Sequence, residues 1–459
     1  MGQLSVMAML RQLSPCLTRR TSNEVDVVNQ LSRVLSSCYS PNMFHAGVGA
    51  KQPEIGEVMI RYSILALMSA FLFFAARSTQ AQTQTVLHNF TGGTDGRYPD
   101  AGLTADGKGK FYGTTQGGGD SGNGTVFQLS PNGSGGWNET VIYSFCSAPN
   151  CADGVGPFFS YVTLDSLGNL YGTTCGGGSS SNGGTVWELS PVGPSWKETV
   201  LYSFNGFSRG NFCPINGLIM DSAGNLYGTT YSDGPASVFK LSPSSGGWTE
   251  QVIYSFSGDG GLRYNGLAMD SRGNILGSTP STVFELSPNG NGGWTPTVIH
   301  SWLGTTFVLP TGNPVLDSAG NLYGVTYQGG AYGTGSVYKL SPKRKGGWAF
   351  KSLYSFNGCP HHLGGPVAGV VLGVSGNLYG TTPLGGSYCG TTNQGYGTVF
   401  ELVAPVGSGS YTEKVLWNFS GTDGANPYAT LTRDSAGKLY GTTASGGSNG
   451  GGVVFEVTP

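Results

Sequence analysis

The sequence predicts an all-β chain: a seven-bladed β-propeller with four antiparallel strands per blade, closed by an N-terminal strand that completes the last blade. Three observations predict it. A motif typified by Asp165–Thr174, Asp-Ser-Leu-Gly-Asn-Leu-Tyr-Gly-Thr-Thr, recurs with its tyrosine position at Tyr112, Tyr171, Tyr227, Leu276, Tyr323, Tyr379 and Tyr440. Successive copies lie 47 to 61 residues apart, the spacing of propeller blades and related arrays. Composition agrees: Gly supplies 79 of 459 residues and charged residues only 10%, while aromatics reach 12%. Many short strands joined by tight turns need that mixture, and a disordered chain would lack the aromatics. Finally, the repeat begins and ends out of phase with itself.

Each repeat carries four strand-like words, taken here in chain order. Strand A is a short stretch such as Ala101-Gly102-Leu103 or Asn216-Gly217-Leu218. Asp-Ser-x-Gly-Asn follows as a turn, because Asp accepts from its own backbone two residues on and Gly tolerates positive φ. Strand B is Asn-Leu-Tyr-Gly-Thr-Thr. The glycine after the tyrosine is expected to let neighbouring backbones approach. Strand C is Gly-Thr-Val-Phe-x-Leu-Ser-Pro, with one aromatic position occupied by Phe127, Trp187, Phe239, Phe284, Tyr338, Phe400 and Phe455. Burying each of these rings between blades is expected to contribute about 2 kcal/mol. Strand D is the Trp-x-x-x-Val-Ile-Tyr-Ser-Phe word, as in Trp137–Phe145.

Phase then predicts closure. The D words are Val86–Phe90, Val141–Phe145, Val200–Phe204, Val252–Phe256, Val298–Trp302, Ser352–Phe356 and Val415–Phe419. The first precedes any A strand, and the sequence closes on the C word Val453–Pro459. Val86–Phe90 is therefore expected to pair with that last C strand, removing two exposed edges at once.

Ahead of the repeat, Met59-Ile60-Arg61, the apolar run Ile64 to Ala76 and Thr79-Gln80-Ala81 have the layout of a secretory leader. Residues 1–58 are read as a gene-model extension or a disordered segment, 59–81 as the signal peptide and 82–459 as the propeller. The expected location is outside the cytoplasm, periplasmic, cell-surface or extracellular, with no stable membrane span once the leader is cleaved. A net charge of −2 offers no field for nucleic acid.

Export suits the cysteines. Cys146, Cys151, Cys175, Cys213, Cys359 and Cys389 all fall in D–A or B–C loops, hence on one face, and are disulfide candidates. Cys359 is expected to pair with Cys389, Cys146 with Cys151 and Cys175 with Cys213. Cys151–Cys175 with Cys146–Cys213 is the alternative.

Taken together, Gly-Asn-Leu-Tyr-Gly-Thr-Thr, Gly-Gly, Gly-Thr-Val-Phe-Glu-Leu-Ser-Pro and Val-Ile-Tyr-Ser-Phe resemble the GloVer tandem-repeat proteins over Val86 to Pro459. The resemblance implies an exported, surface-associated bacterial protein. It implies no established activity and no catalytic residue.

Few residues stand outside the repeat. Tyr231, Tyr264, Tyr327, Tyr332, Tyr388 and Tyr396, with the adjacent pair His361 and His362, occupy D–A or B–C loops and are candidate ligand contacts. Packing the loops down explains the aromatics equally well, and solvated loop residues explain the histidines better than a metal site. No nucleophile elbow, His-Glu-x-x-His or Walker loop occurs, so no catalytic residue, metal or cofactor is assigned. The resulting expectation is a monomeric recognition module for extracellular glycan or protein rather than an enzyme. The alternative is an extracellular polysaccharide-degrading lyase or hydrolase.

Overall fold

The computed structural model describes residues 82–459 apart from 180–181, 206–212, 232–235, 257–264, 305–307, 359–364 and 388–394. The extension and leader read from the sequence lie outside the described residues. Seven four-stranded antiparallel sheets follow one another along the chain. In blade 1, strands A to D are Thr104–Ala105, Phe111–Thr115, Thr125–Pro131 and Trp137–Ser144. Blade 7 takes strands A to C from Thr432–Arg433, Leu439–Thr443 and Val453–Thr458, and its outer strand from Thr83–Asn89. Closure is as the phase requires: Val86 stands opposite Phe455 and Asn89 opposite Val453.

Inside each blade, the A–B turn is built as its composition demands. Asp165 accepts from the backbone N–H groups of Leu167 and Asn169, both at 2.8 Å, and the Tyr171 hydroxyl donates to its other oxygen at 3.1 Å. Asp221, Asp270 and Asp317 repeat the backbone arrangement. Blade 6 has Gly373 at that place, and Glu401 of strand C substitutes, accepting from Tyr379 at 3.0 Å and Asn377 at 2.8 Å.

The glycine after each tyrosine has a different purpose from the one expected. Gly113 pairs across the sheet with Phe127, and a Cβ on Gly113 would fall 2.5 Å from the Phe127 ring. Gly172 meets Trp187, Gly228 meets Phe239 and Gly441 meets Phe455 in the same way. What the missing side chain admits is the strand C aromatic of its own blade, rather than a neighbouring backbone. That ring is fully buried at Phe127, Trp187, Phe239, Phe400 and Phe455.

Strand D carries a one-residue bulge in every blade, where the register slips at Ile142, Leu201, Ile253, Ile299, Leu353, Leu416 and, in the closing strand, Leu87. A bulge interrupts simple alternation and turns Leu201, Ile253, Leu353 and Leu416 inward to burial. Beyond it, the terminal aromatic of strand D reaches the strand C aromatic of the next blade. The seven pairs are Phe145–Trp187, Phe204–Phe239, Phe256–Phe284, Trp302–Tyr338, Phe356–Phe400, Phe419–Phe455 and Phe90–Phe127, with centroids 4.8–5.7 Å apart. One joint thus recurs around the ring.

Nearer the axis, strand B threonines latch blades together through carbonyl oxygens on the next A segment. Thr114 donates to Ser160, Thr173 to Asn216, Thr381 to Ala429 and Thr442 to Ala101, at 2.8–3.1 Å. Disulfides join Cys146 to Cys151 and Cys175 to Cys213. Cys359 and Cys389 lie outside the described residues.

Candidate functional site

Strand A is the innermost strand of a propeller blade, so residues at its loop-face end converge on the axis. Most A segments open with proline, and the residues after it are Asp100, Phe158, Ile215, Thr311, Val367 and Tyr428. Five are apolar or neutral; blade 1 alone among them has a carboxylate. Asp100 is 5% exposed and lines an axial pocket of about 180 Å³. Phe159, Tyr161, Asn216, Asn313, Thr430 and Tyr428 help form its wall, so several blades contribute. At that size it takes a small ligand or one end of a larger one, being below the roughly 300–1,000 Å³ of drug-sized sites.

Contacts run around this wall from blade to blade. The Phe159 N–H donates to Asp100 at 3.3 Å. Asn216 donates its backbone N–H to the Phe158 carbonyl at 3.3 Å and its amide to the Asn265 carbonyl at 3.2 Å. A Cβ on Gly266 would collide with the Asn313 amide oxygen, and one on Gly369 with the Asn313 carbonyl. Here, on strand A, glycine does let neighbouring blades close in. Phe159 holds φ at 49° and Asn216 at 64°. For a bulky residue such as Phe159 that left-handed geometry costs on the order of 1–3 kcal/mol, and it is what aims the N–H at Asp100.

Electrostatically the pocket is spare. Among the described residues lining it, Asp100 is the one carboxyl, and none is Lys, Arg or His. Burial pushes the Asp100 carboxyl up to about 7, opposed by hydrogen bonds from the Phe159 and Asp100 backbone N–H groups. Burial also raises the Tyr161 phenol, which stays a proton donor at neutral pH. A carboxyl balanced near neutrality can both take and give a proton.

Other carboxylates are committed elsewhere. Asp153 accepts from Tyr143 at 2.7 Å and from the Ser147 and Ala148 backbone at 2.9 and 3.2 Å. Asp423 accepts from Trp417 at 2.9 Å and the Ser420 backbone at 2.7 Å. Both organise their D–A loops. Glu139 and Glu198, each raised to about 7 by burial and by a neighbouring aspartate, sit on outer strands. Among the described residues no group of three or more His, Cys, Asp or Glu is placed to hold a metal, and no helix is long and apolar enough to cross a membrane.

The ligand contacts expected from the sequence reduce to four positions, since Tyr264, His361, His362 and Tyr388 lie outside the described residues. Tyr332 is exposed, at 62%. Tyr231 is half-buried, its N–H donating to the Cys213 carbonyl at 2.9 Å. Tyr327 is half-buried on strand B of blade 5, and Tyr396 packs over Gly421. None of these four lines the axial pocket. Asp100 belongs neither to the turn aspartates nor to the loop Asp-Gly pairs, so no motif marks it. Its one signal in the sequence is the contrast with the residues that follow the other strand A prolines.

A family model described as Gloeobacter/Verrucomicrobia repeat matches residues 72–282 and 278–459. No curated protein matches the chain. Among solved structures, a PL25 polysaccharide lyase, an ulvan lyase, is 11% identical with a TM-score of 0.50, covering 81% of this chain and 95% of its own. Virginiamycin B lyase from Staphylococcus aureus is 12% identical with a TM-score of 0.49, covering 82% and 99%. Polysaccharide lyase Uly1 is 12% identical with a TM-score of 0.46, covering 78% and 89%. At these identities the likeness shows the fold. That fold is shared with the ulvan lyase, so it corrects the expectation of a non-enzyme by removing the support for it. The lack of a contiguous catalytic motif is no guide here, because the lining of the axial pocket comes from several blades and leaves no local signature.

Proposed function

The chain belongs to the Gloeobacter/Verrucomicrobia repeat family, and from that premise we propose that it is an exported enzyme that degrades polysaccharide at the axial pocket. In this reading residues 59–81 are the leader, 82–459 the exported propeller, and an extracellular glycan the partner. The observation that carries it is the placement of Asp100, a buried carboxyl on the axis where the equivalent residues of other blades are apolar or neutral. Breaking a glycosidic bond needs a proton moved to or from the reacting sugar, and a positioned carboxyl does this work. Phe159 and Tyr428 line the pocket with aromatic surface of the kind that receives sugar rings, while Asn216 and Asn313 bring amides suited to hydroxyls.

The test is to incubate the full chain with a panel of neutral, acidic and amino polysaccharides. Newly formed reducing ends and ultraviolet-absorbing unsaturated ends are then followed. Asp100→Asn is expected to lower the rate by about 10²-fold or more with the circular dichroism spectrum unchanged. Unsaturated ends would identify a lyase, reducing ends alone a hydrolase. No cleavage of any member of the panel, or cleavage indifferent to Asp100→Asn, overturns the reading.

A further inference from the structure

Among the described residues, Asp100 is buried without a positive partner. The ion pairs of the described residues join His88 to Asp95, Arg272 to Asp270, Lys414 to Glu401 and Lys438 to Glu456, all away from the axis. Interiors rarely leave a carboxylate uncompensated, and the described residues of the pocket wall supply no Lys, Arg or His. Three of the described lining residues, Phe159, Tyr161 and Tyr428, are aromatic. Phe159, whose N–H already reaches the carboxyl, stands perpendicular to Tyr428, with centroids 6.2 Å apart and an interplanar angle of 86°. Tyr161, its ring laid against Gly217, completes the group. One carboxyl set among several aromatic rings is the chemistry that recognises an organic ammonium, since each ring attracts a cation within about 6 Å of its centroid.

We infer that the axial pocket selects a sugar carrying a free amino group, bound as its ammonium against Asp100 and between Phe159, Tyr161 and Tyr428. This rests on the reading of the pocket as the substrate site, and it names the substrate class. The ammonium supplies the positive partner that no described residue provides. An N-acetylated sugar presents no charge and strands the carboxyl. A uronate brings a second negative charge beside Asp100 with no cation among the described lining residues, and the pocket rejects it. Unsaturated ends, which form only at uronates, would therefore overturn this inference while leaving the catalytic reading intact.

Calorimetric titration of the full chain with glucosamine, N-acetylglucosamine, glucose and glucuronate tests this. Glucosamine is expected to bind about tenfold or more tighter than the other three. Asp100→Asn should erase that preference. Because Asp100→Asn could disturb the pocket, Tyr428 supplies an independent variant pair: Tyr428→Phe keeps the preference and Tyr428→Leu weakens it. Equal binding of glucosamine and glucose, or a preference that survives Asp100→Asn, overturns the inference. Cleavage that depends on Asp100 but ignores free amines also overturns it, while leaving the catalytic reading intact. Amine-selective binding without cleavage of any polymer supports the inference and removes the catalytic reading instead.

Discussion

The ring of Phe90 lies 5.2 Å from that of Phe127, edge to face. Phe90 follows the strand that completes blade 7, and Phe127 belongs to strand C of blade 1. This pair supplies the closing joint with the same contact that Phe419 and Phe455 make between blades 6 and 7. Although it lies near the start of the propeller, Phe90 is fully buried.

Phe90→Ala is therefore expected to cost about 3–5 kcal/mol, as a core aromatic does, and to match Phe419→Ala. Urea titration of both variants checks this. A Phe90→Ala loss below about 1 kcal/mol would show that the closing joint bears no load.

Gly228→Ala places a Cβ 2.5 Å from the tip of the Phe239 ring. Overpacking of this kind costs about 1–3 kcal/mol. Gly246, with nothing within 4 Å of its Cβ position, is the control, and Gly246→Ala should change stability by less than about 0.5 kcal/mol. Adding Phe239→Leu to Gly228→Ala should recover part of the loss attributed to the clash. If the two losses simply add, the ring is not the obstacle.

Asp100 sets a pH dependence of stability. Its folded value of about 7 stands above the unfolded value near 3.8, so between these limits the folded state holds a proton that the unfolded state has released. Stability accordingly falls as pH rises through this window. Asp100→Asn, which cannot ionise, should be the more stable form at pH 8 by an amount on the order of a few kcal/mol, and the difference should vanish near pH 4. Thermal melts across that range would refute the assignment if the two curves ran parallel. Asp221, Asp270 and Asp317 act in the opposite sense. Burial raises them, but hydrogen bonds outweigh it and hold them low, chiefly from Asn225 at Asp221, the Asn274 backbone at Asp270 and Asn321 at Asp317. Their contribution is present above the unfolded value and is lost as pH falls through the lower folded one.

Cys175–Cys213 links the B–C loop of blade 2 to the start of strand A in blade 3. Replacing both cysteines by serine is expected to cost about 2–4 kcal/mol. Non-reducing peptide mapping should recover Cys146 with Cys151 and Cys175 with Cys213, and peptides joining Cys146 to Cys213 would contradict the structure.

Blade number, strand order and the closing pair are all legible in the sequence, because a repeated word in seven copies averages away local ambiguity. The D strand bulge is not. Val-Ile-Tyr-Ser-Phe reads as simple alternation, and the slip at Ile142 or Leu353 depends on the cross-strand partner rather than on the word itself. Gly113 stands out as constrained, but its neighbour does not, since Phe127 is adjacent only through pairing. Asp100 is harder still. The carboxyl is ordinary in sequence and becomes exceptional only when blades 2 and 7 bring Phe159 and Tyr428 beside it.

The strand made first, Thr83–Asn89, finds its partner only after Val453–Thr458 has left the ribosome. Throughout synthesis the nascent chain therefore carries an unmatched edge at its leading end, and six blades can form before the ring has any means of locking. Ring closure is therefore a zippering event that waits until Val453–Thr458 is free to pair.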